Sequence, residues 1–101
     1  MWVIVLFDLP VGTKPEQKRA AGFRKALLED GFTRMQYSVY MRPCASEESA
    51  STHRSRIQAV LPHRGAVRIL LITDLQFSRI LCFDGKEPTD VERMPTQLEF
   101  F

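Results

Sequence analysis

The chain has 101 residues, 45% of them hydrophobic and 26% charged, with a formal net charge of +2. That is the composition of a single soluble globular domain, long enough to bury about 65% of the surface its unfolded chain exposes. It excludes a helical membrane span, which needs roughly 20 consecutive apolar residues, and it excludes a disulfide framework, since Cys44 and Cys82 are the only cysteines and lack metal-ligand spacing.

Trp2-Val3-Ile4-Val5-Leu6-Phe7 is an unbroken apolar run closed by Asp8, Leu9 and Pro10. A run without polar alternation predicts a strand covered on both faces, hence mid-sheet. Pro10 cannot donate to a ladder and ends it. Asp8 therefore stands where a buried strand emerges, a rigid mount for a reactive carboxylate. The plain alternative is an Asp bonding local turn amides. Met1 leads into this run with no basic leader or cleavage site, so the cytoplasm is the expected compartment.

Thr13-Lys14-Pro15-Glu16 has the form of a capping box, and predicts a helix from there to about Asp30, stopped at Gly31. Ala20, Phe23 and Leu27 fall on one face, flanked by Arg24 and Leu28, with Lys14, Lys18 and Lys25 on the wet side. Residues 11 to 42 carry Lys14, Lys18, Arg19, Arg24, Lys25, Arg34 and Arg42 against Glu16, Glu29 and Asp30. This basic half is a weak electrostatic footprint for phosphate, equally compatible with a solvated helix face. Phe32 to Arg42 is aromatic and β-branched and contains no turn dipeptide, so it predicts one strand.

Ser46 is an N-cap candidate, with Glu47 and Glu48 in the first turn of a second helix. Ala50, Ile57 and Leu61 mark its apolar side and Pro62 its end. Val67 to Ile72 predicts a strand, Thr73 to Gln76 a turn, and Arg79 to Phe83 a short strand with Cys82 as core filler. Gly85 to Pro95 predicts an exposed connection, and Leu98 to Phe101 a last strand. His53 and His63 are expected to be ordinary surface or capping histidines. Alternating strands and helices imply a small α/β or α+β sandwich with helices on one sheet face. The other face then needs a partner, most simply a second subunit.

VIVLFDLP at the start, GFTRMQYSVYMR in the middle, TDLQF from Thr73 and LEFF at the end resemble the small CRISPR-associated nuclease family, the "Cas-two" protein of spacer acquisition. The resemblance spans nearly the whole chain, and the middle motif is its most specific part. It implies an α+β, ferredoxin-like βαββαβ sandwich in residues 1–84, with Phe32 to Arg42 split into two strand segments. It implies that residues 85–101 form a connection and a C-terminal strand added to the neighbouring subunit of a homodimer.

The resemblance also implies site residues. Asp8 matches the acidic residue that binds a divalent metal, Mg²⁺, together with its dimer mate, and it would be the catalytic position. Arg34 matches a basic position, and Lys18, Arg19 and Arg24 stand in for an Arg-x-Arg pair that this first helix lacks; these four are the implied nucleic-acid contacts. Mg²⁺ takes few protein carboxylates and keeps several waters, so one Asp8 from each subunit plus phosphate oxygens could complete its shell.

Two functions follow from the resemblance. One is a Mg²⁺-dependent endonuclease cutting RNA or DNA. The other is a non-catalytic scaffold that holds duplex DNA and bridges subunits of the CRISPR integrase. An RNA-reading module of similar topology, with bases stacked on sheet aromatics, would need a Gly-Phe/Tyr-Gly/Ala-Phe string that this chain lacks. Tyr37 and Tyr40 are accordingly expected at an interface or in the core. A small-molecule regulatory domain of this fold has no pocket motif in its favour.

Overall fold

In the computed structural model, which describes residues 1–91, Trp2–Asp8 forms β1 at the middle of a four-stranded sheet. The chain continues through α1 (Lys14–Glu29), β2 (Thr33–Gln36), β3 (Val39–Pro43), α2 (Glu47–Gln58) and β4 (Ala66–Ile72). The sheet order is β2-β3-β1-β4, and every adjacent pair is antiparallel. The unalternating apolar run of β1 is thus flanked by β3 and β4, as its composition requires. No helix among the described residues is long and apolar enough to cross a membrane.

Val3, Val5 and Phe7 point to the helix side and pack with Phe23 and Leu27 of α1, Ala50 and Ile57 of α2, and Phe32 and Tyr40. Burying these side chains is the main source of stability, at roughly 1.5–3 kcal/mol for each large one. Trp2, Ile4, Leu6 and Asp8 alternate onto the opposite face. There Leu70 of β4 is about half exposed, and no helix described so far covers it.

Both expected helix starts are present. Thr13 Oγ1 accepts from the Glu16 amide while Glu16 accepts from the Thr13 amide, and Ser46 accepts from the Ser49 amide. Gly31, at φ 89°, closes α1 in the left-handed region where a Cβ is costly. The end of α2 differs from expectation: the helix stops at Gln58 rather than at Pro62, and Leu61 is exposed.

Three further expectations are corrected. Phe32 to Arg42 is two strands, as the resemblance implied, because Ser38 takes a positive φ of 90° and its carbonyl accepts from the Phe7 amide at 3.0 Å. A tertiary bond to β1 therefore sets a turn that no Gly, Pro or Asn announces. Thr73 to Gln76 is no mere turn: Thr73 and Gln76 cap each other, opening the short helix α3 (Asp74–Ser78). The strand expected at Arg79 to Phe83 starts only at Cys82 and runs one residue further, as β5 (Cys82–Asp84). It pairs with β6 (Glu87–Thr89), inside the expected exposed connection, as a separate two-stranded sheet. The hairpin crosses the expected boundary after residue 84. The expected strand Leu98 to Phe101 lies outside the described residues.

Candidate active site and nucleic-acid interface

Asp8 is the last residue of β1, and everything behind it is fixed. Its neighbour Phe7 meets Phe23 edge-on at 5.1 Å and Tyr40 at 5.7 Å between ring centroids. Across the strand, Asp8 pairs with Ala66, the first residue of β4. Gly65 just before it has φ +98°, and a Cβ there would sit 2.7 Å from the Asp8 carbonyl oxygen. The two chain segments close together only because Gly65 has no side chain.

The Asp8 carboxylate itself is exposed, and no described residue gives it a side-chain hydrogen bond. The amide-bonding role of a turn Asp is therefore not its role here. Among the described residues no group of three or more His, Cys, Asp or Glu could hold a metal ion. One chain offers one carboxylate at this position.

The basic residues divide into two groups. Arg24 and Lys25 of α1 face Arg34 of β2 across a groove of about 370 Å³ that Ala21, Leu28, Tyr37 and Tyr40 also line. Arg34 is buried, and its guanidinium lies 5.2 Å from the Tyr37 ring centroid and 5.7 Å from that of Tyr40, within cation–π range. Lys18 is exposed one turn back along α1, outside this groove. Arg19 lines a separate small recess with Leu9, Pro10, Pro62 and Arg64. So two of the four expected contacts, Arg24 and Arg34, are brought together, and Lys18 and Arg19 are not.

Lys25 and Tyr37 are groove residues that the sequence did not mark as nucleic-acid contacts. The spacing of Ala21, Arg24, Lys25 and Leu28, three and four apart, was the available signal for one helix stripe. The tyrosines split: Tyr40 is core, while Tyr37 is half exposed over Arg34.

His53 corrects its expectation outright, being buried at 7% exposure. Its Nδ1 bonds Asp30 at 2.7 Å, and its Nε2 accepts from Arg42 at 3.0 Å. Arg42 pairs with Val3, so this cluster sits at the opposite end of β1 from Asp8. His63 is exposed on the connection into β4, which the fold returns to Asp8's end despite the distance along the chain. A cavity of about 660 Å³ among the described residues lies beside Trp2, Pro43 and Phe77, again away from Asp8.

Residues 1–80 match the family model described as CRISPR associated protein Cas2. The chain is 54% identical over its full length, and over the whole of the relative, to a protein of Parvibaculum lavamentivorans named CRISPR-associated endoribonuclease Cas2. A protein of the same name from Flavobacterium psychrophilum is 46% identical over all of this chain and 88% of its own length. A crystal structure of Streptococcus pyogenes Cas2 superposes with a TM-score of 0.62 at 21% identity, covering 83% of this chain and all of that one, a likeness of fold.

Proposed function

Because the chain belongs to the Cas2 family of CRISPR-associated proteins, we propose that it acts in CRISPR adaptation as a homodimeric, Mg²⁺-dependent endonuclease hydrolysing phosphodiester bonds of RNA or DNA. One observation carries this reading: Asp8 is exposed and unengaged, yet mounted on the most deeply held strand of the sheet. The relatives' name, endoribonuclease, supports it and favours RNA. The element order, with α1 and α2 on one face of an antiparallel sheet, supports the ferredoxin-like assignment; the short α3 meets the other face, where Phe77 stacks on Trp2. Leu70, half exposed on the other face amid the half-buried Leu6, Val39 and Met41, supports pairing with a second copy, since a monomer would leave it wet.

The donor set fits Mg²⁺ only in that dimer. One exposed carboxylate per chain is too little for a metal cage and suits a hard cation that keeps its waters and takes phosphate oxygens. Bound there, Mg²⁺ would stabilise charge on the phosphoryl oxygens and acidify its water. Asp8 of each subunit would hold it, and Arg24, Lys25 and Arg34 would grip the backbone phosphates. His53, committed to Asp30 and Arg42, has no part in proton transfer.

A second reading rests on the groove. A basic channel on the α1 side of the sheet could hold duplex DNA for the CRISPR integrase without chemistry. Asp8→Asn separates the two, because it keeps the shape of the side chain and removes its charge. Mg²⁺-dependent cleavage should vanish while sedimentation still reports a dimer. Thermal stability should hold or rise slightly, since two facing carboxylates repel without metal. Cleavage that survives in a well-folded Asp8→Asn dimer would remove the metal site, and a monomeric wild-type protein would remove the shared carboxylates. If neither protein cleaves but both bind duplex DNA and the integrase, the scaffold reading stands.

A further inference from the structure

The β1–β4 register sets Leu6 opposite Arg68 and Asp8 opposite Ala66. Cross-strand partners share a face, so Asp8 and Arg68 both stand on the sheet face away from α1 and α2. The same alternation puts Ile4, Val39, Met41, Leu70 and Ile72 there. Among the described residues of the four strands, Asp8 is the one acid and Arg68 the one base on that face. They are diagonal neighbours at the end of an apolar surface, a separation of about 7 Å between β-carbons. Both are exposed, and neither side chain makes a hydrogen bond or ion pair with another described residue.

We propose that Arg68 holds the phosphate that lies against Asp8, gripping its non-bridging oxygens. The inference rests on the nuclease reading of Asp8 and adds a residue to it. A guanidinium is charged at every working pH and matches two phosphoryl oxygens with parallel N–H donors. Charge grows on those oxygens as a phosphodiester is cut, so a donor already aimed there stabilises the transition state more than the ground state. Arg68 is carried on a strand paired directly to Asp8's, which holds their spacing better than a loop would. The Arg24–Lys25–Arg34 groove lies on the other side of β1, beyond β3, and on the helix side of the sheet. A nucleic acid strand would thus be gripped at two separate places, and only Arg68 is beside Asp8.

The test uses the full chain with Arg68→Gln, Arg68→Lys and, as a matched surface change on α2, Arg54→Gln. Cleavage of a fluorescein-labelled single-stranded RNA is followed with Mg²⁺, and anisotropy of the same RNA is titrated against salt in EDTA. Arg68→Gln should lower kcat by about 10²–10³-fold with the dimer intact. Its slope of log affinity against log salt should shrink by about one for each phosphate that is no longer neutralised. Arg68→Lys should recover part of both, and Arg54→Gln should match wild type.

The proposal is overturned if Arg68→Gln dissociates the dimer and Asp8→Asn removes that effect, because Arg68 would then be an ion-pair partner of Asp8 in the second copy. It is also overturned if the salt slope of Arg68→Gln equals that of wild type. Should wild type itself fail to cleave, the nuclease reading falls alone: a reduced slope for Arg68→Gln still supports the grip on phosphate.

Discussion

His53 bridges Asp30 and Arg42: its Nδ1 lies 2.7 Å from the Asp30 carboxylate and its Nε2 accepts from Arg42 Nε at 3.0 Å. Arginine only donates, so the ring proton sits on Nδ1 and is given to Asp30. Three elements are joined this way, the end of α1, the end of β3 and the middle of α2. Arg56 adds a second bond to Asp30 at 2.9 Å. The cluster locks the helix layer onto the sheet, at the end remote from Asp8.

Replacing Asp30 by Asn should cost about 1.5–3 kcal/mol, the worth of hydrogen bonds to a charged group. Burial pushes the Asp30 carboxyl up, but the bonds from His53 and Arg56 outweigh it and hold the group below its ordinary value. A carboxylate depressed on folding adds stability above its unfolded pKa of about 3.9, and that stability is lost as pH falls through the folded value. Urea melts should therefore show a constant gap between wild type and Asp30→Asn from neutral pH down to about pH 4, closing below it. A gap that closes already between pH 7 and pH 5 would contradict this assignment.

Gly65→Ala tests how Asp8 is held. A Cβ at Gly65 would meet the Asp8 carbonyl at 2.7 Å and Leu9 Cδ2 at 2.8 Å, and the backbone there has φ +98°. The backbone strain alone costs about 1–3 kcal/mol, and the clash with backbone adds to it. Relief requires β1 and β4 to part at the Asp8 end. Thermal melts should show the loss, and cleavage should fall further than stability predicts. An Ala variant as stable and active as wild type would mean that Gly65 does not position Asp8.

The basic residues should separate by burial. Arg24→Gln and Lys25→Gln lie on exposed or partly exposed positions of α1 and should change stability by no more than about 0.5 kcal/mol. Each should weaken RNA and duplex DNA binding alike, for all sequences, and flatten the salt dependence slightly. Arg34→Gln should do the same and also destabilise the fold, since it empties a buried site beneath Tyr37. Lys18→Gln, outside the groove, should have the smallest effect. Filter binding over a salt series, paired with urea melts, reads both quantities.

Much of the fold was legible in particular residues. The apolar run from Trp2 to Phe7 marked a central strand, and the Thr13–Glu16 box and Ser46 marked two helix starts. Thr73 and Gln76 carried the same capping signature, yet only five residues of helix follow, too few for periodicity to declare them. Ser38 gave no sign of its turn, because a bond from Phe7, distant in sequence, holds its conformation. The family resemblance supplied the split strand that the residues themselves hid.

The place of Asp8 at the end of β1 was legible because a strand end and the Pro10 that terminates it are local facts, written within a few residues. Its surroundings were not. The groove that joins Arg24 to Arg34, the burial of His53 between Asp30 and Arg42, and the register that sets Arg68 beside Asp8 all join residues distant along the chain. Capping and hydrophobic periodicity act over a turn or a pleat, so the chain states them directly. Which faces meet depends on strand order and register, and a shift of one residue would turn Arg68 to the opposite face. Only the packed sheet decides that.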